Sequence, residues 1–303
     1  MQSPTWLDET QYPFQPHYFQ TSSGSMHYVD EGSGDVILFV HGNPTWSFMF
    51  RHLITGLRDR YRCIAIDHIG FGLSDKPADA SYLPQFHAKN LKSFIQSLGL
   101  KKITLVLHDW GGAIGISYAL DSPENVERIV AFNNSFWSVK GVKAAERFSK
   151  IVGGPIGWIA CHLVNAFPRF VIPSVFGDKS KLPPTVHKQY IRPFSTISSR
   201  KGTWVLARSI IRESDWLSDL WDRRLVVNDK PLLLLVGDRD PTFGPDKLAR
   251  WEDAFPKHRT ITYPGVGHFV PEELGPVAVT PIREFMKTSQ YDQIEESLPR
   301  AAK

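Results

Sequence analysis

The sequence predicts an α/β protein in which a mainly parallel central sheet is flanked by helices. Short apolar runs alternate with longer amphipathic stretches along most of the 303 residues, and this is the pattern of parallel strands joined by helices. The runs are continuous and bounded by turn residues or charges, as expected of strands that are buried on both faces. The predicted strands are 36–40, 63–66, 103–107, 129–132, 232–236 and 260–263.

The remaining segments fit this arrangement in chain order. Residues 19–29 alternate in polarity, which predicts antiparallel edge strands, and residues 87–98 and 112–120 are predicted helices between strands. The alternation fails in residues 137–224, which contain five of the nine tryptophans and several prolines. We therefore expect a helical cap to be inserted over the end of the sheet. The predicted division is a core segment, the cap and a second core segment: 1–136, 137–224 and 225–303.

The composition excludes several classes of function. With 35 basic and 31 acidic residues, a formal net charge of +4 and no long run of one sign, neither a nucleic-acid patch nor a membrane-binding face is predicted. Two cysteines, Cys63 and Cys161, do not predict a disulfide framework or a zinc site. No secretory signal or apolar window of about 20 residues is visible. We expect a cytoplasmic protein.

The strongest motif is Leu-His-Asp-Trp-Gly-Gly at residues 107–112, where a buried strand runs into a glycine pair and then a helix. This context is typical of a nucleophile elbow, a tight turn that lifts one side chain clear of the sheet. The nucleophile position holds Asp109 instead of serine. A helix-capping aspartate is the simpler alternative.

Three further motifs also follow predicted strands. Asn43, in His-Gly-Asn-Pro at residues 41–44, lies where this scaffold supplies hydrogen-bond donors opposite the nucleophile. His268 lies in a glycine-rich loop after the last strand, and histidine suits general-base catalysis at neutral pH. Asp238 and Asp240 follow the strand before it, and either could orient the imidazole. The chain order of nucleophile, acid and base is that of α/β-hydrolases.

Together these motifs resemble the haloalkane dehalogenase family of α/β-hydrolases over nearly the whole chain. The matching stretches are HGNPTWSFMFRHLI, DHIGFGLSDKP, HDWGG, YIRPF, GDRDPTFGPD and GVGHFVPEE. The resemblance implies an α/β-hydrolase fold with a helical cap. It implies that Asp109 is the nucleophile, His268 the base and Asp240 the acid, and that the halide-stabilising pair is Asn43 and Trp110.

Two branches of the family differ at these positions. One places its acid, a glutamate, after an earlier strand, where this chain has Asn134, so Asp240 is expected to serve as the acid. Another takes a halide donor from a tryptophan of the insertion instead of Asn43, which leaves Trp137 and Trp158 as alternatives.

The activity implied by the resemblance is hydrolysis of carbon–halogen bonds in small apolar haloalkanes. A carboxylate is ionised at neutral pH and can displace halide from saturated carbon, and water activated by the base can then hydrolyse the resulting ester. The expected partners are therefore a haloalkane, water and halide, without nucleic acid or membrane. No metal or other cofactor is expected, because neither a paired ligand spacing nor a phosphate-binding glycine loop is present.

Three alternatives remain. The β-lactone decarboxylases of hydrocarbon biosynthesis are similar at the Asp, His and Asn-Trp positions. Epoxide hydrolases also use an aspartate nucleophile but protonate the ring oxygen with a pair of tyrosines in the insertion, where this chain has only Tyr190. A non-catalytic ligand-binding protein on the same scaffold would predict a broken triad. The oligomeric state is left open.

Overall fold

The computed structural model describes residues 4–287, and in that part of the chain eight strands form a single sheet. The order across the sheet is β1-β2-β4-β3-β5-β6-β7-β8. Strands β1, β2 and β4 pair antiparallel, and all pairs from β4 to β8 are parallel. The bounds are β1 His17–Thr21, β2 Gly24–Glu31, β3 Val36–Val40, β4 Arg62–Ile66, β5 Ile103–His108, β6 Val126–Phe132, β7 Leu232–Gly237 and β8 His258–Tyr263.

All six predicted parallel strands and the antiparallel edge are confirmed. The edge strands are β1 and β2, which pair from His17 opposite Tyr28 to Thr21 opposite Gly24. The largest error is at the start of β6, which begins at Val126, before the predicted residue 129. Glu127 and Arg128 are only half-buried there, so the polar start of the strand gave no apolar run in the sequence.

Side chains of the central strands enter two separate cores. Leu105 and Leu107 of β5 lie in one apolar cluster, whereas Val106 between them lies in the other. Leu38 and Phe39 of β3 divide in the same way. This alternation follows from the two-residue period of a strand, and it explains why both faces of these strands are apolar.

The helices cover both faces and fill the segment between β6 and β7. In the described residues, this segment contains helices and loops but no strand, and it is termed the helical insertion (137–224). The α-helices are α1 Arg51–Leu57, α2 Pro84–Ser97, α3 Trp110–Asp121, α4 Lys143–Gly153, α5 Pro155–His162, α6 Ile172–Ser174, α7 Pro184–Ile191, α8 Lys201–Arg212, α9 Ser214–Asp222, α10 Pro245–Ala254, α11 Val270–Leu274 and α12 Val279–Lys287.

Both cysteines are buried and free. No single helix within residues 4–287 is long and apolar enough to cross a membrane. The outer ends of the two predicted core segments, 1–3 and 288–303, lie outside the described residues.

Candidate active site

The turn between β5 and α3 holds Asp109 in a strained backbone conformation. Its φ is 52° and its ψ is −126°, a region that side-chain-bearing residues rarely adopt. The helix begins at the next residue, Trp110. A Cβ atom at Gly111 would collide with the carbonyl of Val40 in β3, so the close approach of helix and strand requires glycine there. This geometry is that of a nucleophile elbow.

The two carboxylate oxygens of Asp109 have different surroundings. Oδ1 accepts a hydrogen bond of 2.6 Å from the backbone N–H of Asn43. Oδ2 lies 3.6 Å from Nε2 of His268, beyond ordinary hydrogen-bond length. Burial raises the pKa of Asp109, but His268 and the backbone N–H of Trp110 outweigh it and hold the pKa below its ordinary value. The carboxylate is therefore ionised, with one oxygen held and the other less constrained.

His268 is fixed at both its ring and its backbone. Its Nδ1–H donates to Oδ2 of Asp240 over 2.7 Å, and its backbone N–H donates to the carbonyl of Val175 over 2.9 Å. Burial by itself lowers the pKa of His268, but the charges of Asp240 and Asp109 outweigh it and raise the pKa to about 10. The imidazole is thus oriented with Nε2 toward Asp109.

Asp240 and Asp238 make different contacts in the loop after β7. Asp240, which is buried, makes the contact with His268 that was expected of the acid. Burial raises the pKa of Asp240, but His268 and the N–H and hydroxyl of Thr242 outweigh it and keep the pKa below its ordinary value. Asp238 instead accepts a hydrogen bond of 2.7 Å from the backbone N–H of Gly265. Its carboxylate therefore binds the neighbouring loop and not the imidazole.

Asn133 is a site residue that the motifs did not identify. Its Nδ2 donates to Oδ2 of Asp240 over 3.0 Å, and its Oδ1 accepts from the backbone N–H of Gly237 over 3.0 Å. Asn134, which the family resemblance placed at the alternative acid position, donates to the carbonyl of Leu107 instead. The available signal was that Asn133 directly follows the last residue of β6.

His108 is a second residue that the motifs passed over. Its Nε2–H donates to the carbonyl of His268 over 2.9 Å, and burial lowers its pKa to about 4. It is therefore a neutral, buried support for the loop that carries His268.

The proposed halide donors are Asn43 and Trp110. Trp110 follows Asp109 in the chain, and the backbone N–H of Asn43 donates to the carboxylate of Asp109. Nδ2 of Asn43 donates one hydrogen bond of 3.1 Å to the carbonyl of Thr203 in α8, which leaves its second N–H without an acceptor among the described residues. The indole N–H of Trp110 likewise has no acceptor in residues 4–287, and its ring is buried in the same apolar cluster as Val205 and Leu206 of α8. Asn43 and Trp110 thus each carry an uncharged side-chain N–H that is not taken by an acceptor of the described residues.

The alternative donors of the insertion have other contacts. Trp137 packs among the rings of Phe136, Trp221 and Trp251. Trp158 is exposed and stacks on His162, with ring centroids 4.7 Å apart. Neither ring has a contact with Asp109 among those found in the described residues.

Comparison with known proteins agrees with this geometry. The family model for the alpha/beta hydrolase fold matches residues 35–273. Haloalkane dehalogenase 2 of Mycobacterium tuberculosis is 34% identical over 88% of this chain and 93% of its own length. The chain belongs to the haloalkane dehalogenase family of α/β-hydrolases.

Other members and relatives of this family are similarly close. The cis-3-alkyl-4-alkyloxetan-2-one decarboxylase of Shewanella oneidensis is 32% identical over 93% of this chain and 91% of its own length. The structure of the haloalkane dehalogenase DbeA from Bradyrhizobium elkani superimposes with a TM-score of 0.81 and 26% identity, over 91% of this chain and all of the other. The family's fold, an α/β-hydrolase sheet with flanking helices, is therefore the fold of this chain.

Proposed function

We propose that this protein is a haloalkane dehalogenase that hydrolyses carbon–halogen bonds through an alkyl ester on Asp109. The observation that carries the proposal is the carboxylate at the elbow, with Oδ1 held by the backbone of Asn43 and Oδ2 facing His268. A serine nucleophile must first lose a proton, whereas an ionised carboxylate can attack saturated carbon directly.

In the first step, Oδ2 of Asp109 forms a bond to the carbon that carries the halogen. The electrons of the carbon–halogen bond leave with the halide, so no proton is transferred. Negative charge moves from the carboxylate to the halide, which can accept hydrogen bonds from the indole N–H of Trp110 and the free amide N–H of Asn43. Fixed donors in an apolar site stabilise such charge more than water does.

The second step is hydrolysis of the ester. Esterification removes the negative charge of Asp109, one of the two charges that raise the pKa of His268. The pKa therefore falls and the ring releases its proton to solvent. Nε2 of the neutral ring can then accept a proton from the water that attacks the carboxyl carbon of the ester. The charge that develops on Oδ1 meets the backbone N–H of Asn43. Collapse of the intermediate breaks the bond to the alkyl oxygen and releases the alcohol with a proton from His268.

The helical insertion serves as the cap in this proposal. Its helix α8 contacts the site through the hydrogen bond between Thr203 and Asn43, and Val205 and Leu206 share an apolar cluster with Trp110. An apolar cover favours small apolar substrates and strengthens hydrogen bonds to a leaving halide.

The test is halide release from a panel of chlorinated, brominated and iodinated alkanes. We expect turnover with bromoalkanes and iodoalkanes to exceed that with chloroalkanes, because their carbon–halogen bonds are weaker. No halide release above the rate of buffer from any member of the panel would contradict the proposed activity.

A second candidate is decarboxylation of a β-lactone, favoured by the similarity to the Shewanella oneidensis decarboxylase and to one from Xanthomonas campestris that is 33% identical over 91% of this chain. Incubation with a cis-3,4-dialkyl oxetan-2-one, followed by gas chromatography for the alkene, separates the two activities. Epoxide hydrolysis has less support, since the hydroxyl of Tyr190 is buried and donates to Glu272.

A further inference from the structure

The outer surface of the helical insertion carries most of the exposed large apolar side chains of the described structure. Thirteen such side chains are exposed in residues 4–287, and nine of them lie within residues 142–170. These nine form what we term the apolar face: Val142, Phe148, Ile151, Ile156, Trp158, Ile159, Leu163, Val164 and Phe170. Scattered apolar residues are ordinary on a surface, but a group of this size is typical of a surface that binds a partner or a membrane.

Helix packing brings together the two helices, α4 and α5, that carry most of these side chains. Helix α4 packs against α5, and both pack against α8. On α5, Ile156, Ile159 and Leu163 follow one another at three- and four-residue spacing, so they share the side away from the buried Gly157 and Cys161. Ile156 is 75% exposed. The apolar face therefore depends on how the helix directs these side chains and not only on the number of apolar residues in the segment.

The charge of this region is strongly one-sided. Residues 137–212 contain 13 basic and 2 acidic residues, although the whole chain has a formal net charge of only +4. None of the thirteen forms an ion pair with a carboxylate of the described residues. Most acidic residues of the insertion come later, on and beside α9, which packs against α3 of the core. Residues 137–212 therefore carry a positive charge that ion pairs within the described residues do not neutralise.

Basic side chains border the apolar face on α4. Lys143, Arg147 and Lys150 recur at four- and three-residue spacing and are exposed, as are Phe148 and Ile151 beside them. Long basic side chains can lie along apolar surface while their charged ends reach phosphate groups. This arrangement suits the boundary between lipid tails and anionic headgroups.

A basic cavity adjoins the other end of the apolar face. It has a volume of about 380 Å³, and Arg169, Lys188, Arg192 and Arg200 are among its lining residues, with no acidic side chain. Arg169 is the neighbour of Phe170 in the chain. The guanidinium of Arg200 is held in place by backbone carbonyls, including those of residues 162 and 194. The cavity could accept a phosphate-bearing headgroup.

We propose that the apolar face and its basic border dock on an anionic phospholipid bilayer, with α5 lying in the plane of the interface. No single described helix can span a bilayer, but α5 and the segment Phe167–Ser174, bent by 80° relative to each other, together have the length and composition of a span. Two apolar helical segments that are bent relative to each other and flanked by basic residues can lie within one leaflet of the bilayer. Self-association of two protein copies through this face is disfavoured, because the basic residues around the two faces would repel each other.

The test is co-sedimentation with vesicles of phosphatidylcholine alone or mixed equally with phosphatidylglycerol. We expect the protein to bind the anionic vesicles at least about tenfold more tightly, because each basic residue near the surface adds attraction. Binding should weaken when salt is raised from 0.1 M to 1 M, since the screening length falls from about 10 Å to about 3 Å.

Two triple variants locate the surface. Replacing Ile156, Ile159 and Leu163 by serine should lower binding to anionic vesicles about tenfold or more. Replacing Lys143, Arg147 and Lys150 by glutamine should remove most of the preference for anionic over neutral vesicles. The matched controls are Leu225→Ser with Val277→Ser for exposed apolar side chains and Lys89→Gln, Lys101→Gln and Lys257→Gln for exposed charges. These controls should bind as the unaltered protein does.

Several outcomes would overturn the proposal. They are absence of vesicle binding, equal binding to neutral and anionic vesicles, or equal losses in the control variants. A shift from dimer to monomer in the serine variant, measured by analytical ultracentrifugation without vesicle binding, would instead assign the face to a second copy. Thermal unfolding checks that each variant is folded, and the glutamine variant alters only exposed side chains. None of these readouts depends on chemistry at Asp109.

Discussion

Nε2 of His268 lies 3.6 Å from Oδ2 of Asp109, close enough for strong charge interaction but too far for an ordinary hydrogen bond. The same ring is held on its other side by Asp240. Asp109 therefore remains free to attack, while His268 lies beside the position that the ester will occupy.

The first prediction concerns the nucleophile. Asp109→Ala should reduce halide release by about 10⁴-fold or more, as loss of a covalent nucleophile generally does. The fold should persist, because Asp109 occupies a strained turn on the edge of the site and not the apolar core. Ion chromatography and circular dichroism measure the two effects. Substantial turnover by a folded Asp109→Ala variant would show that another group is the nucleophile.

The second prediction separates the two chemical steps. Alkylation needs no base, whereas hydrolysis of the ester does. His268→Phe should therefore stop after alkylation and accumulate an alkyl group on Asp109 in the presence of a bromoalkane. Intact-protein mass spectrometry of His268→Phe should show the added mass of one alkyl group. The double variant that also carries Asp109→Ala should lack this added mass. An unmodified mass in the folded single variant would argue against the two-step mechanism.

The third prediction concerns the charge state of His268. Its pKa of about 10 lies above the unperturbed value of 6.5. The attraction between protonated His268 and the carboxylates of Asp240 and Asp109 therefore stabilises the fold fully below pH 6.5. This contribution is lost as the pH rises through about 10. Asp109→Asn removes one of the two charges, as esterification does, and should lower this pKa. NMR titration of the imidazole nitrogens, assigned with His268→Phe, measures the shift. An unchanged pKa would exclude the proposed switch to a base.

The fourth prediction distinguishes the two acids after β7. Asp240→Asn should slow hydrolysis of the ester by about 10⁴-fold, the scale found when an amide replaces the orienting acid of a triad. Asp238→Asn is the matched control, since the carboxylate of Asp238 accepts its hydrogen bond from Gly265 of the neighbouring loop. Pre-steady-state measurement of alcohol release compares the variants. Equal losses in both would contradict the assignment of Asp240.

The fifth prediction concerns the halide site. Asn43→Ala or Trp110→Phe should slow alkylation by about 100-fold, because loss of one donor to developing charge costs about 3 kcal/mol. Trp158→Phe, on the exposed surface, should have no effect. A bromide soaked into crystals should lie between the two side-chain nitrogens at roughly 3.2–3.5 Å, farther than an oxygen would. A bromide bound only by Trp137 or Trp158 would refute the pair.

The sequence by itself predicted where the parallel strands lie along the chain and which turns carry the site. Apolar runs determine where strands buried on both faces lie, and parallel strands bring their carboxyl ends to one edge. Asp109, Asn43, His268 and Asp240 each follow such a run within a few residues. Local pattern was therefore sufficient to nominate them.

Only the tertiary structure decided how these residues are supported and what the insertion exposes. Asn133 meets Asp240 across 107 residues of chain, and Asn43 meets Thr203 across 160. No local period records such contacts, because they depend on how separate elements pack. A net charge of +4 predicted no membrane partner, whereas the proposed docking surface rests on exposed basic and apolar side chains of the packed helices α4 and α5. Total charge is a sum over the chain, but binding depends on where folding places that charge.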